Sequence, residues 1–326
     1  MEESNTLDLL IEQAGKYHPL YGGGLATHIS MVMIALDRLN APSSKLESIF
    51  SESINKLERI DNLDSITAVE CVEDDLGDTT KFSSYLKYFK GELEVYGTQA
   101  VLRKSLPILI PGVAASAFHA LIRLAYAIEA NSQSEIAIAL AYWCAEFQPL
   151  ELSKEVTDET LEDILTRLAP LGVNHVFSPG IIVNRMSDIS ELLKREACII
   201  QPSSIDLPSL RSFALKAFYA NDDFTLLHTV TGCHAFSIVM PYLENVDVGL
   251  TELWKAILVA YLSTGLNYAN TEITPLEGDF DFGLIVGKAV ASSDFHVIKL
   301  VYTCFCEYMV CKDPVYYLVA KRAVRS

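Results

Sequence analysis

Over most of this chain the apolar positions recur at spacings of three and four, the period of a helix with a buried face. The stretch 27–41, THISMVMIALDRLNA, sets Thr27 where an N-cap belongs and then repeats Met, Ile and Leu at that spacing. The same pattern predicts helices over 113–130, behind Pro111-Gly112, over 134–147, and over 158–170, where Pro170 should end the element. It continues over 187–197, 206–220, 223–243 and 251–269, and a last long helix is expected from about Phe282 through Tyr308. Strict alternation is scarce. ACIIQP at 197–202 is the best short strand, and ECVEDDLGDTT at 70–80 reads as an exposed acidic loop. Proline and glycine fall between the helical stretches without gathering into a linker, and no repeat is visible. The expected architecture is all-α: one large multi-helix domain over residues 1–326, with its inner helices apolar on most faces and the active site buried between them.

SLPILIPGVAASAFHALI, residues 105–122, is uncharged for long enough to resemble a membrane span. Pro107 and Pro111 break its first half and His119 sits in its second, so a core helix entered through a proline turn is the better description. Half of the 326 residues are hydrophobic, ample material for a core. The 25 Lys and Arg against 42 Asp and Glu leave a net charge of −17. That charge repels nucleic-acid phosphates and anionic membrane surfaces, so neither is expected as a partner. The opening MEESNTLDLL lacks the basic-then-apolar layout of a signal peptide, and seven cysteines without a CxxC pair read as reduced, mostly buried thiols. A cytoplasmic protein is expected.

Familiar motifs fail one by one. Gly22-Gly23-Gly24 lacks the preceding strand and the spaced third glycine of a dinucleotide fingerprint. GLIVGKAVA, 283–291, has a phosphate-loop look, but its glycine spacing is one short and Ala289 stands where Ser or Thr would hold magnesium. There is no GxSxG, no HExxH and no calcium loop.

The histidines remain. His28, His119, His228 and His296 each sit in an apolar helical stretch of the kind that lines a core. Any one alone would ordinarily be a core histidine bonded to a carbonyl; four on four separate inner helices are what a bundle uses to assemble a metal site. Such a set suits iron, zinc, copper or nickel. His234 lies six residues after His228, about 240° around the helix at ~100° per residue, so the two cannot face one centre. His228 is taken as the ligand and His234 as supporting or structural; His18 and His175 lie in loop-like stretches. Lys299 follows His296 by three residues, close enough for the two side chains to reach one point. Burial and a nearby cation lower a lysine's pKa, and a neutral amine can add carbon dioxide to become an anionic oxygen ligand. The alternative is that Lys299 snorkels to the surface or pairs with Asp294.

Four blocks, GGLATHISMVMIALDRLNAP (23–42), PGVAASAFHALIRLAYAIE (111–129), FTLLHTVTGCHAF with PYL (224–243) and SDFHVIKLVYTC (293–304), resemble in this order the questin oxidase family. In that family a Gly-Leu-x-Asn-His stretch comes first, then Phe-His-x-Leu-Ile-Arg-x-x-Tyr, then Leu-His-x-Val-Thr, and finally His-x-Ile-Lys. Thr27 departs from the asparagine expected before the first histidine. The resemblance implies an oxidoreductase of anthraquinone-type chemistry: an oxygenase acting on an aromatic or polyketide-like substrate. It implies non-haem iron held by His28, His119, His228, His296 and carboxylated Lys299, where O2 is activated. Tyr126, seven residues after His119 on nearly the same face, is a candidate to orient substrate or oxygen, with Arg123 and Asp294 as supporting partners. Two other functions remain open: an NADPH-dependent Baeyer–Villiger-type monooxygenase without metal, and a non-catalytic helical protein that binds a small molecule.

Overall fold

Helices dominate the structure, a computed structural model that describes residues 6–60, 63–269, 278 and 280–325. Fourteen α-helices follow one another among them: α1 (Thr6–Ala14), α2 (Ile29–Arg38), α3 (Ser43–Ser53), α4 (Phe82–Leu109), α5 (His119–Glu129), α6 (Gln133–Ala145), α7 (Leu161–Asn174), α8 (Ile182–Arg195), α9 (Leu207–Asn221), α10 (Phe224–Val239), α11 (Val246–Ser263), α12 (Gly283–Ala291), α13 (Phe295–Cys311) and α14 (Pro314–Ala323). Strands are two residues long: β1 (Leu20–Tyr21) pairs antiparallel with β2 (Leu25–Ala26), and β3 (Val156–Thr157) pairs parallel with β4 (Gln201–Pro202). No helix among the described residues is long and apolar enough to cross a membrane.

The fold's centre is a closed cycle of four helices: α2 packs on α5, α5 on α10, α10 on α13, and α13 back on α2. Helix α6 backs α5 and also packs on α4, and every residue from Glu135 to Ala145 is buried. A helix enclosed on all sides must be apolar on all sides, which is why α6 and α10 show no polar stripe. The two tryptophans are fully buried and keep their indole donors satisfied: Trp143 donates to the Gly112 carbonyl at 2.9 Å and Trp254 to that of Ile200 at 2.6 Å. Where α7 meets α11 the backbones touch. A Cβ on Gly172 would stand 2.3 Å from the Leu262 carbonyl oxygen, so only glycine fits.

Several boundaries differ from the periodic reading. Thr27 does not cap α2; His28 is the N-cap residue and makes no side-chain capping bond. The helix expected over 113–130 begins only at His119, because Ser116, Ala117 and Phe118 all adopt left-handed backbone at φ 49, 53 and 67. Pro170 lies inside α7, which runs on to Asn174 because packing on α11 continues past the lost hydrogen bond. The long helix expected over 282–308 is two, broken at residues 292–294, where Asp294 accepts from the amides of His296 and Val297 and starts α13 afresh. Helices α1, α3, α4 and α14 were not anticipated; α4 hides its period because Gly97, at φ 73, kinks it midway. The 105–122 stretch closes α4, turns through Ile110–Gly112 and enters the core as α5.

Candidate active site

Each helix of the central cycle contributes one imidazole, and each does so from its first turn or two. His28 is the N-cap of α2, His119 the first residue of α5, His228 the fifth of α10 and His296 the second of α13. The rings converge. Centroids lie 4.9 Å apart for His28 and His119, 4.6 Å for His28 and His296, 4.7 Å for His119 and His228, and 5.8 Å for His228 and His296. Phe224 sits edge-on to His228 and His296 at 5.0 and 4.7 Å, holding both rings from one side.

Hydrogen bonding fixes which ring nitrogens face inward. His119 Nδ1 donates to the Ser116 carbonyl at 2.6 Å and His228 Nδ1 to that of Phe224 at 2.9 Å, so in both rings Nε2 carries the lone pair. His28 Nε2 stands 2.9 Å from His119 Nε2 and must be the donor of that pair. The Nε2 atoms of His228 and His296 are buried with no partner. The left-handed run before α5 is what lets the Ser116 carbonyl turn back onto His119, three residues on.

Lys299 is 1 % exposed, and no hydrogen bond or ion pair holds its amine among the described residues. Burial pulls its pKa down to about 7, against the opposing pull of the Asp294 carboxylate. Burial likewise holds the four imidazoles below their ordinary value, His119 at about 3 and His296 at about 4. The Lys299 charge is the next cause for His28, His119 and His296; for His228 it comes after His119. The five groups therefore share one field, and at neutral pH the imidazoles are unprotonated donors. As the side chains stand, no three or more His, Cys, Asp or Glu among the described residues form a set that could hold a metal ion. His28 and His119 spend their inward nitrogens on each other.

The other sequence candidates separate. His234 turns away from the cluster, its Nδ1 2.7 Å from Glu307, which also accepts from Arg211 at 3.0 Å. His18 Nδ1 lies 3.1 Å from the Leu20 amide, and His175 packs on Phe177. Arg123 is fully buried and donates from Nε to Glu135 at 2.7 Å; Tyr126 is buried with its hydroxyl unpartnered. Neither lines the cavity beside the imidazoles. Asp294 caps α13 and stands 3.7 Å from His296 Nδ1.

That cavity, about 390 Å³, opens against His28, His119 and His296 and is walled by Leu25, Ile181, Ile182 and Phe224. Its volume falls at the lower end of small-molecule sites. Sequence reasoning passed over three of its features. Gly22–Gly24, set aside as a failed motif, forms the tip of the β1–β2 hairpin with all three residues at positive φ, and Gly24 lines the cavity. Phe224 is hidden by its resemblance to any core aromatic. Arg185 also lines the cavity, and nothing in its sequence neighbourhood singled it out.

Residues 25–185 match the family described as questin oxidase-like, a span that holds His28 and His119 and ends before His228, His296 and Lys299. No curated protein matches the chain.

Proposed function

We propose, on the premise that the chain belongs to the questin oxidase-like family, that it is a non-haem iron oxygenase acting on an aromatic, polyketide-like substrate in the cytoplasm. The family's name denotes an oxidase, which makes the chain an oxidoreductase at the coarse level. The observation that carries the finer reading is the convergence of four imidazoles from a closed helix cycle, two of them with buried, unpartnered Nε2 atoms. Three of the four ring spacings, 4.6, 4.7 and 4.9 Å, bring neighbouring imidazoles close enough to turn their nitrogens toward one shared point. A cation would replace the His28–His119 contact. The donor set fits a divalent transition metal, with His28, His119, His228, His296 and Lys299 as its holders. Iron(II), when bound, supplies the activation of O2 that spin-paired organic substrates lack.

The chain's own residues do the rest. The Ser116 and Phe224 carbonyls hold His119 and His228 in the tautomer that turns Nε2 inward. The amide-capping carboxylate of Asp294 orients the start of α13 and with it His296. Lys299, partly deprotonated near pH 7, adds carbon dioxide: its nitrogen lone pair forms the N–C bond, and the proton it sheds leaves to solvent. The carbamate oxygen is then an anionic donor beside four neutral ones. Phe224 and the aliphatic wall exclude water and receive the flat face of an aromatic ring. Arg123 acts from behind the site, tying α5 to α6 through Glu135, and Tyr126 packs its ring against Tyr302 of α13.

Metal analysis after anaerobic reconstitution with iron(II) tests this. About one iron per chain is expected, falling to background in His228→Ala. No iron or other transition metal in the wild type would sink the reading.

A further inference from the structure

Five helices meet the cavity by their N-terminal turns: α2 through His28, α5 through His119, α8 through Ile181 and Ile182, α10 through Phe224 and α13 through His296. Each such end carries up to about half a positive charge. Asp223 and Asp294 cap α10 and α13 and offset theirs, and Asn184 Oδ1 accepts from the Ile181 amide at the start of α8 at 3.0 Å, but no side chain caps α2 or α5. The lining holds no Asp and no Glu. It does hold Arg185, whose guanidinium sits 4.4 Å from the centre of the Phe177 ring. Its Nε is buried without a partner, and no hydrogen bond or ion pair engages its terminal nitrogens among the described residues. The nearest carboxylate on its own helix, Asp188, is turned to the Ser178 amide at 3.2 Å and to His175 at 3.8 Å. In a chain of net charge −17, a half-buried arginine without a carboxylate partner is an expense the fold could have avoided.

We propose that this cavity takes a small aromatic carboxylate, with the Arg185 guanidinium receiving the two carboxylate oxygens while the ring lies between Phe224 and the aliphatic wall. The planar fork matches two coplanar oxygens, and the Phe177 ring beneath keeps it from swinging away. The uncapped helix ends add a field of the same sign. The inference deepens the oxygenase reading, on which it rests only in taking this cavity as the substrate site. It makes Arg185 the residue that selects acids over their neutral analogues.

The test compares 2-naphthoate with 2-naphthamide, by calorimetric titration of the full chain both as purified and after chelation. Chelation removes any metal that could itself bind the acid. The wild type should bind the acid at least about tenfold more tightly than the amide in both states. In Arg185→Met the preference should vanish while amide affinity stays, which also shows the cavity intact. Arg185→Lys, which keeps the charge and loses the fork, should retain only part of the preference. A preference that survives in Arg185→Met, equal affinity of the wild type for acid and amide, or no binding of either probe would each overturn the proposal. Since binding is read without metal or turnover, failure to load iron and failure of this inference are separate results.

Discussion

Removing the Glu135 carboxylate should destabilise the protein more than most core truncations. Arg123 and Glu135 are each 1 % exposed, with Arg123 Nε donating to Glu135 Oε1 at 2.7 Å. Ser30 Oγ donates to the same oxygen at 2.5 Å, so the carboxylate ties α2 and α5 to α6. Arg123 Nη1 and Glu135 Oε2 have no partners, so the pair is not cushioned by a surrounding network. In Glu135→Leu the guanidinium stays in the core with nothing to balance it, a loss of about 3–5 kcal/mol. Ser30 loses its acceptor as well, adding about 1 kcal/mol. In Arg123→Met with Glu135→Leu the stranded charge is gone and two apolar side chains fill similar volume, so most of the loss should return. Urea denaturation of chelated protein reads these differences, chelation keeping metal binding from inflating the apparent stability. A single-variant cost under about 1 kcal/mol, or a double variant no better than the single, would refute the reasoning.

Two further outcomes follow from the site's geometry and charge. The four imidazoles have folded pKa values below the unfolded ~6.5, so between those values the unfolded chain binds more protons and metal-free stability falls as pH drops from about 6.5 toward 4. Lys299, at about 7 folded against ~10.4 unfolded, has the same sign in a higher window: stability rises from pH 7 upward, and Lys299→Met should flatten that rise in paired urea titrations; an unchanged slope would contradict its burial as a free amine. Ala117, at φ 53, pays the left-handed penalty of about 1–2 kcal/mol, so Ala117→Gly should be close to neutral where a buried helical alanine would lose roughly 1–2; Ala117→Val should cost about 2 or more, and a tolerated valine would show that the run 116–118 is not held left-handed.

What the sequence discloses about this molecule stops where long-range packing begins. The helices around His28, His119, His228 and His296 are legible because their apolar period is strong, and the mutual exclusion of His228 and His234 follows from angle alone, as the Glu307 contact of His234 bears out. Their convergence is not legible, since the α2–α13 contact joins residues far apart in the chain and no local rule encodes it. The left-handed turn at 116–118 is hidden because Ala-Ser-Ala-Phe is ordinary helix composition. Tertiary contacts override propensity there, and Phe118 is locked against Gly232, where an added Cβ would stand 2.8 Å from its ring. Arg185 is hidden for a different reason: its significance is an absence, the lack of an ion pair to any carboxylate among the described residues, and absences appear only once the neighbours are known.

One signal was available and went unread. Asp223 and Asp294 are strong N-cap residues, five and two positions before His228 and His296, and they fix those histidines in the opening turns of their helices. With His28 and His119 also at helix starts, all four imidazoles belong at one end of the cycle rather than midway along a buried bundle. That position explains how a site built from core helices can still face a cavity, because the loops and the β1–β2 hairpin that join helix ends form its remaining walls. It also ties the two halves of the chemistry together. The uncapped starts of α2 and α5, which deliver His28 and His119, bring a positive field with them, and such a field would favour the proposed anionic donor at Lys299 and an anionic group beside it.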